Sequence, residues 1–195
     1  MPVPAFTIDG VLPPFVGPTG PGGAASDMSP YEVSTVEVVT ALGTTTHRRA
    51  ILRRWIEHRQ QLRAIDVVNG FQWLDGSFVE DKIPNDLDIV TFFHRPANAL
   101  DSIALGALIA GNGHLFRRGQ VKPAFNLDAF FVDLNSHSEQ IVGYTRYLLG
   151  LFSHRRGDSL WKGMLQVRLE NVVDDESALA EMDQLDAITA AGGAT

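Results

Sequence analysis

The stretch Leu74-Asp-Gly-Ser-Phe-Val-Glu-Asp-Lys-Ile-Pro-Asn-Asp-Leu-Asp-Ile-Val-Thr-Phe-Phe93 decides the fold. A Gly-Ser turn, Gly76-Ser77, stands between two apolar segments, and Asp86 and Asp88 flank Leu87 at the mouth of the second. Residues i and i+2 of a strand point to the same face, so the two carboxylates project side by side from Leu87–Phe93. Like charges this close repel, and each resists ionising. A solvated turn would also tolerate them, but aspartate is a poor strand residue, and two at the start of an apolar strand need a reason. A bound divalent cation with hard oxygen ligands supplies one. A Gly-Ser turn leading into a helix offers free backbone N–H groups, which suit a phosphate. A phosphate site beside a metal site points to a nucleoside triphosphate with Mg²⁺, Mn²⁺ being the substitute.

The order Gly-Ser, short spacer, Asp-x-Asp on a strand resembles the polymerase-beta-like nucleotidyltransferases. Gly10–Pro14, Phe78–Asp88, Leu127–Val132 and Arg155–Leu165 are together similar to a poorly characterised bacterial branch of that superfamily, one without a settled activity to carry over. The resemblance implies Mg²⁺-dependent transfer of a nucleoside monophosphate from a triphosphate to an acceptor hydroxyl, with two ions held by Asp86 and Asp88. Such chemistry calls for a third carboxylate on a neighbouring strand. Asp128 and Asp133 both qualify, and their spacing of five puts them on opposite faces. The resemblance favours Asp128, which would complete the second metal site and help deprotonate the acceptor. Gly76 and Ser77 would position the β- and γ-phosphates, glycine by allowing close backbone approach and serine by its hydroxyl. Lys82 is either a phosphate contact or a plain surface lysine. Arg155, Arg156 and Lys162 resemble a basic motif of the branch, for phosphates or acceptor, and read equally as a solvated loop.

Minimal members of the superfamily modify tRNA ends, proteins or antibiotics, and some act in toxin–antitoxin or phage-defence modules. The acceptor implied is therefore tRNA, other RNA or a protein, with a cognate protein partner in view because no large helical acceptor domain is evident. A non-catalytic regulatory or antitoxin-like subunit that retains the fold is the alternative.

Composition sets the frame. The 195 residues, 45% apolar and 20% charged, suit one domain with a real core. No run of residues is apolar and long enough to span a membrane, and no secretion signal is evident, so a cytoplasmic protein is expected. There is no cysteine, and His47, His58, His94, His114, His137 and His154 lack metal-ligand spacing, which argues against zinc. No Walker loop or Gly-x-Ser-x-Gly is present. The net charge of −7 does not match nucleic acid. The charge is uneven, however. Arg48, Arg49, Arg53, Arg54, Arg59 and Arg63 face a single acid, Glu57, within His47–Arg63, whereas acids gather over Asp174–Asp186. If the acceptor is RNA, the arginine-rich segment is the first place to expect backbone contacts.

The expected organisation is a Pro/Gly-rich arm over 1–28, a catalytic domain over 29–172 and an acidic, Ala-rich tail over 173–195. Ser34-Thr-Val-Glu37 is a capping box that opens a helix to about Leu42. Residues 47–64 form a helix with its arginines on the outside. Strands are expected at Phe71–Leu74, Leu87–Phe93, Ala124–Leu134 and Gly163–Leu169. Helices are expected at Ala97–Ala110, Ser138–Ser153 and, weakly, Glu176–Ala190, with Ala191–Thr195 frayed. Interleaved strands and helices give an α/β or α+β fold, a small mixed sheet of about four to five strands with helices mainly on one side.

Overall fold

The computed structural model describes residues 2–18 and 20–192. In chain order it contains β1 (Tyr31–Glu32), α1 (Thr35–Leu42), α2 (Thr46–Ala64), β2 (Gly70–Asp75), β3 (Leu87–Phe93), α3 (Ser102–Gly111), α4 (Gly113–Phe116), α5 (Arg118–Phe125), β4 (Leu127–Asp133), α6 (Ser138–Phe152), β5 (Leu165–Arg168) and α7 (Val172–Gly192). The fold is α+β. The five strands form one mixed sheet in the order β1-β5-β2-β3-β4, in which β1 and β5 are parallel, β5, β2 and β3 are antiparallel, and β3 and β4 are parallel.

Strand alternation divides the core. Leu74, Leu87, Ile89, Phe93, Leu127, Ala129, Leu165 and Val167 point to one face, where α1, α2, α4, α5 and α7 bury Val38, Leu52, Trp55, Ile56, Phe116, Phe125 and Met182 against them. The other face carries a smaller cluster, Trp73, Val90, Phe92, Val132 and Met164, covered by Leu148 and Phe152 of α6. The helices are therefore mainly on one side. The second face, roofed only by α6, has room for a cleft at the end of the sheet where β3 and β4 begin.

Local chemistry explains most of the boundaries. Ser34 accepts from the Glu37 N–H while the Glu37 carboxylate accepts from the Ser34 N–H, closing the capping box ahead of α1. Thr45 caps α2 through the Arg48 N–H. Asp101 caps α3, which starts five residues later than expected. The expected strand over Ala124–Leu134 is shortened at its front: α5 runs to Phe125, Asn126 takes a left-handed conformation (φ 57°) to end it, and β4 begins at Leu127. The last strand is likewise shorter, Leu165–Arg168.

Both edges of the chain pack on the domain. The acidic segment expected as a tail is, over Val172–Gly192, a helix that contributes buried Ala178 and Met182 to the core; residues 193–195 lie outside the described part. The N-terminal arm is pinned to the domain. Val11 and Leu12 are buried, Val11 bridges Glu80, and the Leu12 N–H donates to Val79 O at 3.2 Å, whereas Ile8 is exposed.

The arginines of α2 do not form a solvated face. Arg59 is fully buried and, with Arg63, meets Asp175 of α7 at 2.9 and 2.7 Å. Arg49 and Arg53 pair with Asp186 at 2.6 and 3.0 Å. Arg48 donates to the carbonyls of Phe78, Glu80 and Lys82. A buried guanidinium needs a partner for every donor, and the acids of α7 with the carbonyls of the hairpin loop provide them. Only Arg54, paired with Glu57, is more than half exposed. The segment expected to touch an RNA backbone is committed to internal contacts. No helix among the described residues is long and apolar enough to cross a membrane.

Candidate active site

The sheet register builds a row of carboxylates. Asp75 at the end of β2 lies opposite Asp88 of β3, and Asp88 lies opposite Asp128 of β4. Cross-strand partners on one face approach within about 5 Å at Cβ, and like charges there are destabilising. Asp86, two residues before Asp88, extends the cluster. The row opens into a cleft of about 260 Å³ bounded by Gly76, Ser77, Glu80, Lys82, Lys122, Arg156 and Lys162, with Phe152 and His154 at the end of α6.

The Gly76-Ser77 turn is tied to this row. Gly76 has φ +73°, a left-handed conformation open to glycine, and starts a single 3-10 turn over Gly76–Val79. A Cβ there would stand 1.7 Å from Asp88 Oδ2, so only glycine lets the backbone lie against that carboxylate. Beneath the turn, the buried Lys162 ammonium donates to Gly76 O at 2.8 Å and to Glu80 Oε1 at 3.2 Å, and sits 3.2 Å from Asp75 Oδ1. This last approach is an ion pair without hydrogen-bond alignment, and Asp75 Oδ1 is buried with no hydrogen bond.

Electrostatics follows from this packing. Burial pushes the Asp75 carboxyl up to about 7 against the pull of Lys162. Burial, then the neighbouring charges of Asp86 and Asp128, push Asp88 up to about 6. Burial also opposes ionisation of Glu80, but Lys82 (2.6 Å) and Lys162 hold it below the usual carboxylate range. Two cations of α5 serve the outer acids: Lys122 Nζ is 2.6 Å from Asp86 Oδ2, and Arg118 grips both oxygens of Asp128. Asp88 has no ion pair or side-chain hydrogen bond among the described residues, save for the close approach of Gly76.

The residues fit a divalent cation by chemistry. Four aspartates line one cleft as hard oxygen donors, one buried carboxylate oxygen lacks a bond, and burial with the charges of Asp86 and Asp128 makes the central acid protonation-prone. As the side chains stand, no three acidic or histidine groups among the described residues are gathered tightly enough to cage an ion. Lys122 and Arg118 draw Asp86 and Asp128 toward themselves.

Of the residues singled out in the sequence, Asp86, Asp88, Asp128, Gly76, Ser77, Lys82, Arg156 and Lys162 come together around the cleft. Arg155 does not: it pairs with Asp158 and donates to Asp9 O, bracing the arm. Asp133 lies opposite Phe93 at the far end of β4, where burial is outweighed by Arg95, the Asn135 N–H and Ser136, which hold it below the usual carboxylate range. Lys162 is buried under the turn instead of solvated. Sequence reading missed Asp75, Arg118 and Lys122. The signal for Asp75 was the hairpin itself, whose register sets it opposite Asp88. The signal for the two cations was their i, i+4 spacing, hidden in a segment broken by Gly119 and Pro123.

Residues 4–168 match the family of unknown function DUF6932. The chain belongs to the DUF6932 family. The matched span holds every cleft residue and leaves α7 outside it. No curated protein and no solved structure matches this DUF6932 chain.

Proposed function

We propose that the cleft is the active site of a Mg²⁺-dependent nucleotidyltransferase of the polymerase-beta-like kind, moving a nucleoside monophosphate from a triphosphate to an acceptor hydroxyl of RNA or protein. The observation that carries this reading is the alignment of Asp88 with Asp128 across β3 and β4, with Asp86 and the Gly76-Ser77 turn at the same mouth. Asp86, Asp88 and Asp128 would hold the cations. Bound divalent ions supply charge stabilisation for the phosphates and ease loss of the acceptor proton. Gly76 and Ser77 would hold the β- and γ-phosphates through backbone N–H groups and the hydroxyl. Lys162 keeps that turn in place through Gly76 O. The acceptor oxygen bonds to the α-phosphorus, the bond to the bridging oxygen breaks, pyrophosphate leaves and the hydroxyl proton passes to Asp128.

The pure protein, incubated with Mg²⁺ and each of four α-labelled nucleoside triphosphates beside total tRNA and cell lysate, should move label to one acceptor class. Asp88→Asn should lower transfer by at least a hundredfold while the fold remains. Undiminished transfer in that variant would refute the assignment. A second reading, a non-catalytic partner that keeps the fold, draws on the ion pairs of Lys122 and Arg118, which neutralise the outer acids without a metal. Metal-dependent nucleotide binding separates the two, since a self-neutralised relic should show none. A role in a toxin–antitoxin or phage-defence module belongs to either reading.

A further inference from the structure

The cleft holds two kinds of cation. Lys162 is buried, with its side chain 3% exposed, and two hydrogen bonds and the Asp75 ion pair lock its ammonium in place. Lys122 and Arg118 are different. Their side chains are 51% and 59% exposed, although the carboxylates they grip are 18% and 10% exposed. They stand one turn apart on α5, on the same side, and Arg118 lies over the Phe130 ring with its carbon 5.1 Å from the centroid. Contacts that leave the cation in water contribute little to stability and are readily exchanged.

We propose that Arg118 and Lys122 are triphosphate-binding residues that occupy the metal-ligand carboxylates until a metal–nucleotide complex arrives. The inference rests on the nucleotidyltransferase reading and extends it to two residues on a helix that the reading did not use. Divalent cations and these side chains compete for the same oxygens of Asp86 and Asp128. A nucleoside triphosphate brings the anionic oxygens that the displaced guanidinium and ammonium then require, within the reach of one flexible side chain. The exchange keeps the charge of the cleft balanced: cations replace cations on the carboxylates, and phosphates replace carboxylates on Arg118 and Lys122. A merely structural pair would not change partners in this way.

The two halves of the exchange have opposite signs, and this makes the test specific. Mn²⁺ binding to the nucleotide-free protein is followed by its electron paramagnetic resonance signal, and binding of α,β-methylene analogues of the four common nucleoside triphosphates at saturating Mg²⁺ by calorimetry. Lys122→Gln and Arg118→Gln, each with an exposed side chain and each checked by thermal melting, should bind Mn²⁺ several-fold more tightly than wild type. The same variants should bind the analogue about tenfold more weakly. Variants that bind both more tightly, or both as wild type does, would overturn the exchange while the nucleotidyltransferase reading stands. Failure of the wild-type protein to bind any analogue with Mg²⁺ would overturn that reading, and this inference with it.

Discussion

Asp88 is the residue on which stability and function pull apart. Its ionisation is opposed by burial and by Asp86 and Asp128, which raise it from 3.8 to about 6. A carboxyl raised on folding favours the fold when protonated, so its contribution is complete below the unfolded value and is lost as pH rises through about 6. Asp88→Asn mimics the protonated form at every pH. In the presence of a chelator the variant should therefore be more stable than wild type at pH 8, by up to about 3 kcal/mol, with the advantage falling to about half near pH 5 and vanishing below the unfolded value. Urea unfolding at the two pH values checks this, and a variant less stable at pH 8 would contradict it. The difference is insensitive to His58, which burial lowers to about 4 in both proteins. Gly76→Ala tests the other half of the contact. A Cβ 1.7 Å from Asp88 Oδ2 on a left-handed backbone should destabilise the protein by at least about 1–2 kcal/mol and abolish metal-dependent nucleotide binding. Unchanged binding in that variant would detach the turn from the site. Asp86 and Asp88 were legible in the sequence because both signals, polarity within an apolar strand and an i, i+2 spacing, lie within three residues. Asp75 was not, because its place in the row is a property of strand pairing.

At the scale of elements, local signals were read and distant ones were not. The capping box of α1 and the apolar run of β3 are written within a few residues of themselves, and both appear where expected. β1 is two residues long and exists only because Met164 O and Gln166 O accept from Tyr31 and Val33 across the sheet. α7 has little amphipathic pattern, and besides buried Ala178 and Met182 it is held by paired charge more than 100 residues away: Arg59 and Arg63 on Asp175, Arg49 and Arg53 on Asp186. Arginines on a helix read as a solvated face until the acids that bury them are in view. The two anchors should differ in strength. Asp175→Ala leaves a fully buried guanidinium unpaired and should cost about 3–5 kcal/mol, enough to loosen α7 from α2. Asp186→Ala, at a side chain 34% exposed and with Arg49 keeping its bonds to Gly43 O, Thr46 and Thr189, should cost clearly less. Equilibrium denaturation of the two variants checks the ranking, and equal losses would contradict it.

The whole molecule uses one sheet for two purposes. The face covered by the other helices carries most of the apolar core, and the face covered by α6 alone leaves the carboxylates accessible at one end. A fold organised for stability alone would not align three aspartates across adjacent strands with two of them buried, since such a row resists ionisation. Under the proposed function the row is a seat for divalent cations carrying a nucleoside triphosphate. The most direct test is calorimetric titration of the four nucleoside triphosphates, as α,β-methylene analogues, into wild type and Asp88→Asn, with Mg²⁺ and with chelator. The account predicts saturable binding by wild type that requires Mg²⁺ and is lost in Asp88→Asn. Binding that is independent of Mg²⁺, or preserved in Asp88→Asn, or absent from the wild-type protein for every nucleotide would contradict it.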